Sequence, residues 1–222
     1  MAAVSFLGAR SVALFPLEAT PVSATIPFST IPRIVGFRSD GKQLLVASGA
    51  ARTMTMLDVA TGKTVVRLPL PLEPADFCFL PDGGQLFVTG RGMDAVVIIL
   101  PYSTEVGETI LAGRAPAEMA VLNSQYLFVS NPESGDVTVL DIETRKLVVV
   151  IHTGAEPRRI VFTPDNQYAL VLNSGSGDLA VIRIAEFTTG PNSEWAQRYK
   201  HGGLLTVLPV GARPVGAAVV GV

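Results

Sequence analysis

Pro116-Ala-Glu-Met-Ala-Val121, Tyr126-Leu-Phe-Val-Ser-Asn131, Val137-Thr-Val-Leu-Asp141 and Leu147-Val-Val-Val-Ile151 are four short apolar runs, closed by Gly154-Ala-Glu-Pro157. Each run has strand length, is rich in β-branched residues and is bounded by turn formers. The same unit recurs on both sides. Its opening prolines are Pro32, Pro74, Pro116, Pro157 and Pro214, at spacings of 42, 42, 41 and 57 residues. A fixed period near 40 residues with four strands per period is the pattern of a β-propeller blade.

Taken in order, a first strand follows each proline: Arg33–Phe37, Ala75–Leu80, Ala117–Val121, Arg158–Phe162 and Val215–Val219. The turns Ser39-Asp40-Gly41, Pro81-Asp82-Gly83 and Pro164-Asp165-Asn166 come next; the third unit departs with Asn123-Ser124-Gln125. Pro presets φ, Asp caps its own backbone, and Gly or Asn accepts a positive φ. The expected architecture is all-β, a single propeller domain over 1–222 with blades at 32–73, 74–115, 116–156 and 157–213. Three strands before Pro32 and one after Pro214 predict a composite blade, 1–31 plus 214–222, five blades in all. The alternative is part of a larger ring, for example seven-bladed. A closed ring implies a monomer, and an open one a dimer, because unpaired strand edges recruit other strands.

With 17 basic and 19 acidic residues the net charge is −2, which gives no field to gather nucleic acid. Mean hydropathy is +0.42, yet no apolar run approaches the roughly 18 residues a membrane helix needs. Membrane insertion is therefore not expected. The first ten residues lack the basic start and continuous apolar core of a signal peptide. One cysteine, Cys78, excludes an internal disulfide. It sits inside Phe77-Cys78-Phe79, as a small buried side chain would.

Tyr126-Leu-Phe-Val-Ser-Asn131, Val137-Thr-Val-Leu-Asp141, the Gly154-Ala-Glu-Pro157 signature and Thr163-Pro-Asp165 resemble the YVTN family of β-propeller repeats. The third and fourth units match best. The second has Leu100-Pro101 where the family places an Asp, and the first has Leu-Leu-Val-Ala-Ser in place of the Tyr-Val-x-Asn motif. The resemblance implies a bacterial or archaeal surface, secreted or periplasmic protein. It does not imply one activity, because a fold hosts many.

Two histidines, His152 and His201, stand in different units, so neither a zinc ligand set nor a haem pocket is apparent. Ser174-Gly-Ser176-Gly lies between strands and reads as a turn rather than a nucleophile elbow. The acidic loops at 132–136 and 175–178 offer too few carboxylates for calcium. No catalytic, cofactor or metal residue is therefore assigned.

Two sites remain. Strand alternation places Asp76, Glu118 and Arg159 at one position of the repeat, beside Arg33 and Arg158. These five form a candidate ligand site at the mouth of a central channel. The 185–203 insertion carries Trp195, Arg198, Tyr199 and His201, residue types that anchor interfaces. The expected function is a non-catalytic scaffold for a protein or polysaccharide partner. The alternative is a lactonase-like hydrolase with its site in the channel.

Overall fold

The computed structural model describes residues 1–17, 24–185 and 203–220. They form five antiparallel sheets, each running in chain order. The first holds β1 (Ala2–Phe6), β2 (Ser11–Phe15) and β3 (Ala24–Pro27). The second holds β4 (Pro32–Phe37), β5 (Gln43–Ser48), β6 (Thr53–Asp58) and β7 (Thr64–Pro69). The third holds β8 (Glu73–Phe79), β9 (Leu86–Arg91), β10 (Ala95–Leu100) and β11 (Glu105–Leu111). The fourth holds β12 (Met119–Leu122), β13 (Tyr126–Asn131), β14 (Asp136–Asp141) and β15 (Lys146–His152). The fifth holds β16 (Pro157–Phe162), β17 (Tyr168–Asn173), β18 (Asp178–Arg183) and β19 (Leu204–Pro209). This is the β-propeller fold that the repeat predicts. No described helix is long and apolar enough to cross a membrane.

One expected strand is not formed. The first sheet has three strands, and residues 214–220 enter no sheet. Val215 and Val220 are 93% and 82% exposed. The reason lies in Gly216-Ala-Ala218, which has low strand propensity and little apolar surface to bury. The composite blade is thus corrected to a three-stranded sheet.

The chain divides into two compact units, residues 1–93 with 97–109, and residues 94–96 with 110–222. In unit 1, Leu45, Met54, Met56, Leu86, Val88 and Ile99 form one buried cluster, and Val12, Leu14, Leu44, Val46 and Leu57 another. In unit 2, Phe128, Val137, Val139, Ile151, Val171 and Ile182 are buried together. Phe128 meets the Phe162 ring edge-on at 5.0 Å. Each fully buried side chain of this size is worth about 2 kcal/mol, against about 0–1 kcal/mol for an exposed ion pair. The cores hold the blades; the surface charges do not.

Small residues in the first strands follow from this packing. A Cβ at Gly36 would stand 2.7 Å from the Phe77 ring, so that ring occupies the space a side chain would take. Ile34 on β4 packs against the buried cluster of Leu45 and its neighbours.

The turns work as their residues dictate. Asp40, Asp82 and Asp165 each accept a hydrogen bond from the backbone N–H two residues on, at 3.0, 2.8 and 3.0 Å. Asn123 and Ser124 both have positive φ, 49° and 57°, which is how the third unit turns without an Asp. Asp58 accepts from Thr61 N and Oγ1, and Asp141 from Thr144 N and Oγ1. The second unit, with Leu100-Pro101, lacks that bond.

The structure reveals a motif that the strand pattern conceals: Asn131-Pro-Glu-Ser-Gly-Asp136 and Asn173-Ser-Gly-Ser-Gly-Asp178 have the same form. Asn131 Nδ2 donates to Asp136 Oδ1 (2.7 Å) and Thr138 Oγ1 (2.8 Å). Asn173 Nδ2 donates to Asp178 Oδ1 (2.6 Å) and to the Thr153 carbonyl (2.9 Å). Ser134 Oγ accepts from Arg114 N and Ser176 Oγ from Ala155 N, at 3.2 and 3.1 Å. The acidic loops are thus structural clasps between a hairpin and the linker beside it.

The aspartates of the tight turns, Asp40, Asp58, Asp141 and Asp165, titrate below the usual carboxylate range. Asp40 is pulled down to about 2, first by its hydrogen bond from Arg38. Asp58 is lowered first by the Thr61 hydroxyl, Asp141 by the Thr144 backbone, and Asp165 by the Thr163 hydroxyl. A folded pKa below the unfolded value of about 3.9 adds stability that is present above that value and lost as pH falls through the folded one. The urea midpoint is therefore expected to hold from pH 7 to about 4 and to fall between about 4 and 2. A midpoint unchanged at pH 2.5 would contradict the role of these turns.

Candidate functional site

Unit 2 contains a cleft of about 900 Å³ lined by Glu118, Glu156, Arg158, Arg159, Ser174 and Arg213, among others. The start of β16 builds one wall. Its pairing with β17 shifts register between Pro157 and Ile160, which lifts Arg158 and Arg159 out of the ladder. Such a bulge re-aims side chains, and both arginines are exposed. Glu156 and Arg213, each directly before an opening proline, have φ of 51° and 53°.

Arg159 Nη1 lies 3.5 Å from Glu118 Oε2, with the side chains 58% and 34% exposed. At that exposure the pair is worth about 0–1 kcal/mol, so it orients more than it stabilises. Ser174 Oγ donates to the Glu156 carbonyl (3.1 Å) and stands 3.3 Å from Glu156 Oε2. Among the described residues, Arg158 and Arg213 belong to no ion pair. The backbone amides of Ser174, Gly175 and Gly177 are spent on Glu156, Ala155 and Asn173 carbonyls. Those amides are not free for a phosphate, and the charged groups facing the cleft are side chains.

Of the five residues expected together, the structure brings Glu118, Arg158 and Arg159 to this one cleft. Arg33 and Asp76 belong to unit 1. Arg33 lines a separate cleft there, and Asp76 lies on β8 opposite Thr89. Glu156, Ser174 and Arg213 were not anticipated. For Glu156 and Arg213 the signal was their place directly before an opening proline, which the strand pattern treats as a linker. Trp195, Arg198, Tyr199 and His201 lie outside the described residues.

The remaining reactive groups stand apart. His152 is exposed at the end of β15, opposite Asp136. Cys78 is raised to about 12, chiefly by burial and then by Asp76, so its thiol is protonated at neutral pH and a poor nucleophile. Ser176 Oγ is held by the Ala155 amide. Among the described residues no three of His, Cys, Asp and Glu gather as a metal site would need.

No protein-family model and no curated protein sequence matches the chain. Many solved structures share the fold. A functionally unknown protein from Desulfotomaculum acetoxidans superposes with TM-score 0.76 at 16% identity, over 96% of this chain and 67% of that one. The dihydro-haem d1 dehydrogenase NirN, in complex with DHE, gives 0.75 at 15%, over 96% and 45%. Hydrazine synthase from Kuenenia stuttgartiensis gives 0.69 at 18%, over 82% and 59%. The chain thus spans about half of the NirN chain and three-fifths of the hydrazine synthase chain. These neighbours are β-propeller proteins, and at such identities the likeness is one of fold.

Proposed function

We propose that this chain is a non-catalytic binding module of the YVTN type, acting at a cell surface or in the periplasm. It holds an acidic protein or polysaccharide partner at the unit 2 cleft. The observation that carries this reading is the pair Arg158 and Arg213, two exposed guanidiniums with no ion pair among the described residues, facing one cleft. A guanidinium takes a carboxylate through two parallel hydrogen bonds. Glu118 and Glu156 limit the excess charge and favour spaced carboxylates over a dense polyanion. Among the described lining residues, the hydroxyls of Ser174 and Ser176 are engaged by the Glu156 carbonyl and the Ala155 amide.

The test uses the whole chain immobilised against polygalacturonate and polyglutamate. Binding is expected to weaken with salt. The double variant Arg158→Ala/Arg213→Ala should lose about tenfold or more, since a hydrogen bond to a charged group is worth about 1.5–3 kcal/mol. A lactone and ester panel run on the same sample decides the rival. Hydrolysis above background that Glu118→Gln abolishes would replace the binding reading with an enzyme.

A further inference from the structure

Unit 1 holds a cleft of different chemistry, about 560 Å³ in volume. Its walls are Leu7 and Arg10 from the β1–β2 turn, Ile31 before β4, Arg33 on β4, Ala50 from the β5–β6 turn and Glu73 at the head of β8. Gly49 lies between them. A Cβ there would stand 3.0 Å from Arg33 Cδ and 3.5 Å from Glu73 Oε1, so the arginine stem and the carboxylate meet over bare backbone. Leu7 and Ile31 are 52% and 47% exposed. Among the described residues neither Arg10 nor Arg33 has an ion pair, whereas Arg38 grips Asp40 with both Nε and Nη2.

Arg10 carries a second signal. It turns the hairpin at φ 49°, and its carbonyl accepts from Phe28 N at 2.7 Å. Gly135 and Gly177 do the same work in unit 2, at φ 71° each, with carbonyls accepting from Thr153 and Val210. A left-handed arginine costs free energy that glycine avoids. Ten described non-glycine residues have a positive φ, and Arg10 is the one of them that lines this cleft. Arg52 repeats the conformation at φ 49°, but its guanidinium sits by Gly92, away from this cleft.

We propose that the unit 1 cleft binds the C-terminus of a peptide that ends in an apolar residue. Arg10 and Arg33 take the terminal carboxylate, as paired guanidiniums do. Glu73 accepts the last backbone N–H and repels a second acidic group. The last side chain covers Leu7 and Ile31. The volume falls in the ordinary range for small ligands, about 300–1,000 Å³. This site is independent of the unit 2 cleft, and its failure would leave that reading untouched.

The experiment is calorimetric titration of the whole chain with four probes: acetyl-Ala-Ala-Leu as free acid, its C-terminal amide, acetyl-Ala-Ala-Asp, and decanoate. The free acid is expected to bind with a Kd below about 1 mM, and the amide and Asp peptides at least about tenfold more weakly. Arg33→Gln should lose about tenfold. Arg10→Gly should move two readouts in opposite directions. Tm rises by about 2 °C as the turn relaxes, and binding falls about tenfold. Equal binding of acid and amide would overturn the proposal, as would full binding by Arg10→Gly. Decanoate binding more tightly than the peptide would assign the cleft to fatty acids instead, and no binding of the free acid at about 5 mM would leave it without this role.

Discussion

Gly90→Ala is expected to be among the most damaging single-methyl additions in unit 1, destabilising by about 3 kcal/mol or more. A Cβ at this position would stand 2.0 Å from the Glu73 carbonyl oxygen and 2.9 Å from Pro74 Cα. Both are backbone atoms, so no rotamer change relieves the clash. Gly90 pairs directly with Pro74, next to the register shift between Pro74 and Asp76. The β8 backbone therefore has to move, and the Phe77 and Phe79 side chains that pack against the unit 1 core move with it. Gly107→Ala is the control. Its nearest neighbours would be 3.6 and 3.7 Å away, ordinary contact, and a strand alanine gains about 0.5–1 kcal/mol over glycine. Urea unfolding of the two variants should move the midpoint in opposite directions. Equal midpoints for Gly90→Ala and the parent would show that the β8–β9 approach is not as close as described.

The second large effect is expected at Asn131, the fully buried clasp of unit 2. Asn131→Ala removes donors to Val129 O, Asp136 Oδ1 and Thr138 Oγ1. Asp136 and Thr138 are 5% and 1% exposed, so water does not readily replace the lost bonds. Leaving a buried acceptor unpaired costs about 1–3 kcal/mol, and the expected loss is about 3 kcal/mol, or about 6–12 °C in Tm for a chain of this size. The linker also loses its seat, since a Cβ on Gly113 would come within 2.5 Å of the Asn131 amide. A cycle with Asp136→Ala separates packing from hydrogen bonding. The double variant should lose clearly less than the sum of the singles, because the two side chains share one bond. Additive losses would mean that the amide and carboxylate stabilise the loop independently.

The two positions are the same place in the repeat, at the end of the second strand. Ser48, Gly90, Asn131 and Asn173 occupy it in turn. At Asn131 and Asn173 a side-chain amide ties the loop together, and at Gly90 a bare backbone lets the neighbouring strand in. Strand length and alternation do not distinguish these solutions, because both sequences fit the same spacing.

The sequence by itself determined the all-β propeller of antiparallel strands and the turn chemistry. Those features depend on residues near one another in the chain: a β-branched run, a proline-opened strand, an Asp two residues before the amide it caps. Repeat position also puts Glu118 and Arg159 at equivalent points of neighbouring units, two residues after Pro116 and Pro157. Tertiary structure alone decided which charges share a cleft. The bulge after Pro157 and the left-handed residues Glu156 and Arg213 direct side chains by backbone geometry that no spacing encodes. It also decided that Val215–Val219 pairs with nothing in its sheetless segment. Strand formation at an edge depends on what a partner strand can bury against it, and Gly216-Ala-Ala218 has little to offer.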